Sequence, residues 1–87
     1  MKILNWKPSD RSGARKGSFD LELPSGLTLL GCSLVDGKNG MFIGLPQRSY
    51  QQDGQTKYVP TVSIEDRSIR DKFNAAALDA LRAEEII

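Results

Sequence analysis

What the side chains lack narrows the chemistry first. Histidine is absent and Cys32 is the lone cysteine. A serine nucleophile therefore has no imidazole to take its proton, and a cysteine nucleophile has no histidine partner. No zinc-type ligand set can be drawn from a single thiol. Cys32 stands between Gly31 and Ser33 in an apolar stretch, the setting of an inert core thiol. With no second cysteine there is no internal disulfide, which fits a reducing compartment. Asp20 and Glu22 would share a strand face, the pattern of a solvated surface rather than of a catalytic pair. Gly37 and Gly40 flank a turn instead of opening a helix, so they do not form a phosphate loop of the Walker kind. The expectation is a protein that is not an enzyme, with no metal and no cofactor.

Cations and aromatics remain. In residues 1–17, Lys2, Lys7, Arg11, Arg15 and Lys16 stand against Asp10 alone, a balance of +4. Residues 18–36 balance to −3, residues 37–61 to +2 and residues 62–87 to −2. Lys7, Arg11, Arg15 and Lys16 cluster around the first connection, Lys38 marks a central turn, and Arg48 and Lys57 flank a long polar connection. Mobile cations of this kind suit phosphates, and Trp6, Tyr50 and Tyr58 offer flat faces to unpaired bases. The candidate nucleic-acid contacts are Lys7, Arg11, Arg15, Lys16, Lys38, Arg48, Tyr50 and Lys57. The plainer alternative is a solubilising surface, with Trp6 in the core.

Positioning these residues falls to a small sheet. Leu34 to Pro46 reads as its central hairpin: Asp36-Gly37 and Asn39-Gly40 suit a tight reversal, and Met41, Ile43 and Leu45 then alternate with Phe42 and Gly44. Residues 2–7 form a first strand with Leu4 and Trp6 on one face and Ile3 on the other. Residues 9–17 are a basic loop. Phe19, Leu21 and Leu23 point inward from a second strand, between Ser18, Asp20 and Glu22. Residues 27–35 form a third strand, apolar on both faces. Residues 47–56 are a polar connection with an Asp-Gly turn, and residues 57–64 a fifth strand that Pro60 confines to an edge or a bulge. A helix over residues 67–83, capped by Asp66, would bury Ile69, Phe73, Ala76, Ala77 and Ala80. Leu78 lies opposite that stripe and Leu81 between the faces, so both are candidate dimer contacts.

The fold expected is therefore α+β, a single domain over 1–87: an antiparallel sheet of four to five strands followed by one C-terminal helix packed on it. Its core is small for stability alone, which favours a homodimer. No stretch approaches the about 20 apolar residues of a membrane span, and the N-terminus lacks the apolar region of a signal peptide. A cytoplasmic protein with no membrane partner is expected.

The stretch from Leu34 to Pro46 (Leu-Val-Asp-Gly-Lys-Asn-Gly-Met-Phe-Ile-Gly-Leu-Pro) resembles the core motif of SpoVG-type proteins, approximately Val-Ile-Asp-Gly-Asn-Asn-Gly-Leu-Phe-Val-Ala-Met-Pro. The likeness continues more loosely through Arg48, the Asp53-Gly54 turn, Tyr58, Pro60 and the helix, from Phe19 to Leu81. It implies a homodimeric, regulatory DNA- or RNA-binding protein of a bacterium or a phage. The Ser9–Gly17 loop does not match the family, and the helix with its flanking ends, residues 62–87, balances to −2 where basic residues would serve DNA. The strand order is also similar to that of Whirly-like single-stranded-DNA binders. The second reading is a small protein-interaction module, phage-encoded, whose partner is another protein.

Overall fold

Alternation in the second strand sets the frame. Phe19 and Leu21 point to one side and are fully buried, while Asp20 and Glu22 point to the other. A computed structural model describes residues 1–9 and 13–87. Four antiparallel strands, β1 (Lys2–Pro8), β2 (Arg15–Glu22), β3 (Thr28–Gly37) and β4 (Gly40–Gly44), lie in the order β1-β2-β3-β4. Strands β5 (Gln47–Gln52) and β6 (Gln55–Pro60) pair only with each other, as a separate two-stranded ribbon. Helix α1 (Arg67–Ala83) closes the chain. The α+β class is as expected, but the fifth strand leaves the main sheet. It ends at Pro60 rather than Ile64, and its partner β5 was expected to be a connection. The first loop is also shorter than expected, because β2 begins at Arg15.

The sheet's register shifts in three places, between Leu4 and Lys7, Arg15 and Gly17, and Phe19 and Leu21, and the first and last decide which apolar side chains are inside. Between Leu4 and Lys7, both Asn5 and Trp6 oppose Phe19 alone, and Asn5 takes a φ of 56°. The extra residue shifts the phase of β1, so Trp6 joins Ile3 on the core face instead of opposing it. Its ring meets Phe19 with centroids 6.3 Å apart. A second bulge sets Leu30 and Gly31 against Asp20, with Gly31 at φ 87°. Leu29, Cys32 and Leu34 thereby share the buried face, and Leu30 is left 69% exposed. The third strand, expected to be too apolar on both faces to be exposed on either, is covered on one face only, and Leu30 stands in solvent.

Helix α1 approaches both edge strands, β1 and β4, as it would in the hollow of a curled sheet. Asp66 caps it as expected, accepting the Ile69 N–H at 3.0 Å. The buried stripe is rotated from the expected one. Ala77 and Leu81 are fully buried and Phe73, Leu78 and Ala80 pack around them, while Ile69 is 57% exposed and Ala76 faces solvent. Leu81 therefore belongs to the chain's own core and has no surface to offer a second copy. Leu78 keeps only partial exposure. Asn74 reaches from the helix to the free edge of β4, where its side-chain oxygen accepts the Ile43 N–H at 3.1 Å. That contact caps one of the edge groups otherwise open to pairing.

Candidate nucleic-acid interface

Antiparallel pairing collects the first group of cations. The end of β1, the start of β2, the end of β3 and the start of β4 lie at one end of the sheet. Lys7, Arg15, Lys16 and Lys38 are thus brought to that end, all four exposed. Two backbone hydrogen bonds tie it together, from Ser9 N–H to the Lys16 carbonyl (2.9 Å) and from Asp36 N–H to the Ala14 carbonyl (2.7 Å). The reversal at Lys38 and Asn39 joins Gly37 to Gly40, and only Gly40 takes a positive φ, 113°. Arg11 lies outside the described residues.

The second group sits on the ribbon. Paired residues share a face and successive pairs alternate. The pairs Arg48–Val59, Tyr50–Lys57 and Gln52–Gln55 therefore form one face, and Gln47–Pro60, Ser49–Tyr58 and Gln51–Thr56 the other. Register brings together Arg48, Tyr50 and Lys57, which the sequence scatters over ten positions. Tyr58 stands on the opposite face from Tyr50, so the two tyrosines form no common platform. With Ser49 and Gln47, Tyr58 lines a cleft of about 490 Å³ against Arg15, Ser33, Val35 and Gly44 of the main sheet. Arg15 links the two cationic groups at this cleft.

Asp20 holds the scaffold beneath them. Its carboxylate accepts the Asn5 side-chain amide at 2.9 Å and the Gly31 N–H at 3.0 Å, so one side chain fastens both bulges. The bond from Asn5 first, and then that from Gly31, hold its carboxyl below the usual carboxylate value; nearby Lys7 acts in the same direction. Cys32 is fully buried, and burial, with the Asp20 charge second, pushes its thiol up to about 11. At neutral pH it is a protonated thiol, a poor nucleophile. Among the described residues no three or more metal-ligating side chains stand together. No helix of the described residues is long and apolar enough to cross a membrane.

A second, larger cleft of about 780 Å³ runs beside the β4 edge. Phe42, Leu45, Val62 and Ile64 give it apolar walls, and Arg67, Arg70 and Asp71 of α1 give it charges of both signs. Sequence reasoning missed this cleft, because it is assembled from three separate segments. It also missed the glutamines, although the signal was present: all four in the chain, Gln47, Gln51, Gln52 and Gln55, fall within the ribbon.

The chain matches no family model, no curated protein and no solved structure.

Proposed function

We propose that this protein is a non-catalytic nucleic-acid-binding protein of the cytoplasm, acting as a homodimer in a regulatory role of the SpoVG kind. The observation that carries the reading is the ribbon. A two-stranded ribbon without a packed face is marginal alone. This one packs substantially on no other element, and 11 of its 12 strand residues are exposed. Its strands carry Arg48 and Lys57 and no carboxylate. Cations held out on an arm, beside a cationic sheet end, suit phosphates better than an apolar protein surface. Fluorescence anisotropy with labelled single-stranded DNA, duplex DNA and RNA should show saturable binding at low salt. The Arg15→Ala, Lys16→Ala double variant should flatten the slope of log affinity against log salt by about 1.5–2. No binding to any of the three would overturn the reading.

The homodimer rests on the cleft beside β4. Its walls leave Phe42 44% exposed, and Arg67, Arg70 and Asp71 offer charges that can pair across a two-fold axis. Because Asn74 occupies the Ile43 N–H, side-chain packing rather than strand pairing would join the copies. Sedimentation at micromolar concentration should give twice the chain mass, and Phe42→Glu should return it to one. A monomer at all concentrations would favour the second reading, in which the same cleft holds a different protein.

A further inference from the structure

We propose that the ribbon reads duplex DNA, entering the major groove with the face that carries Arg48, Tyr50, Gln52, Gln55 and Lys57; the inference rests on the nucleic-acid reading above. Its first support is that this face has its hydrogen-bonding groups free. On the opposite face the Gln51 side-chain amide donates to Thr56 Oγ1 at 2.9 Å, whereas the five side chains named have no protein partner among the described residues. Gln52 and Gln55 form a directly opposed pair next to the hairpin tip, and Tyr50 and Lys57 form the next pair on the same face. A primary amide both donates and accepts, the combination that adenine's major-groove edge offers in return. Arginine and lysine match guanine there, and both reach the flanking phosphates.

Shape points the same way. Six residues of strand extend about 20 Å, and two strands stand about 4.8 Å apart, narrow enough with side chains for a groove about 12 Å wide. The inner face, with Ser49 and Tyr58, turns toward the sheet across the cleft that Arg15 lines. This leaves the amide face outward. Single strands are the poorer fit. Stacking successive bases needs aromatic side chains on one surface, and Tyr50 and Tyr58 lie on opposite faces. Duplex RNA is excluded on width, since its deep, narrow major groove does not admit side chains from a ribbon.

The test uses the full chain and three fluorescein-labelled probes of the same mixed sequence: duplex DNA, single-stranded DNA and duplex RNA. The duplex DNA should bind tightest. Methyl green, which fills the major groove, should displace the protein, and distamycin in the minor groove should not. The Gln52→Ala, Gln55→Ala double variant should weaken duplex DNA binding about tenfold or more at unchanged salt slope, with single-strand affinity unchanged. Both positions are exposed and outside the core, and circular dichroism checks that the variant folds. Equal duplex binding by the variant, or a wild-type preference for single strands or duplex RNA, overturns the inference while leaving nucleic-acid binding standing. Binding to none of the probes overturns both.

Discussion

Gly17 shows how tightly single positions are specified here. A methyl group on it would fall 2.5 Å from Cη2 of Trp6 and 2.6 Å from the Lys7 carbonyl oxygen. Backbone and an indole packed against the core give little way, so Gly17→Ala should cost about 1–3 kcal/mol in urea unfolding. Gly44→Ala is the contrast, because its added carbon would meet Ser33 Cβ at an ordinary 3.4 Å. Near-neutral behaviour at Gly17 would show that Trp6 does not sit over it. Asp20 makes a pH prediction. Its folded carboxyl is held below the ordinary value, so the unfolded chain takes up the proton first as pH falls. The stabilisation is complete above the ordinary carboxyl range and is lost as acid titrates the folded group. Asp66, held low chiefly by the Ile69 N–H and then by Ser68, behaves in the same sense. Asp20→Asn should therefore give a shallower fall in stability from neutral to acid pH than the wild type. Parallel acid limbs would refute the clamp across the two bulges.

Elements were legible where one face is wet and the other dry. Phe19, Leu21 and their polar neighbours gave β2, and the paired glycines around Lys38 and Asn39 gave the β3–β4 hairpin. Asp66 marked the start of the helix. The ribbon escaped because both its faces meet water, which removes the alternation that reports a half-buried strand. Arg48, Tyr50 and Lys57 were visible as residue types, but only strand register places them side by side. Bulges hid the phase of β1 and β3. Asn5 and Gly31 are residues that tolerate positive φ, yet nothing in the apolar pattern says that a residue is inserted there. The helix was misphased for another reason: alanines weigh little in a hydrophobic stripe, so Ile69 seemed to anchor a face that Phe73, Ala77 and Leu81 define. Substitution separates the two phases. Leu81→Ala should cost about 2–5 kcal/mol, whereas Ile69→Ala should stay within about 0.5 kcal/mol. The reverse order in thermal or urea unfolding would restore the expected stripe.

At the scale of the whole molecule, the core and the cationic surfaces draw on different residues. A curled sheet and its helix make the core, while the cationic sheet end and the ribbon project groups that the core does not use. The segment 62–87, which balances to −2 through the carboxylates flanking the helix, stays out of the proposed interface. The most direct measurement is a two-dimensional amide NMR titration of the labelled protein with duplex DNA at low salt. Shifts should concentrate in the ribbon from Gln47 to Pro60 and at Arg15, Lys16 and Lys38, and should fade as salt is raised. Shifts confined to α1, or no saturable shift at all, would contradict the account.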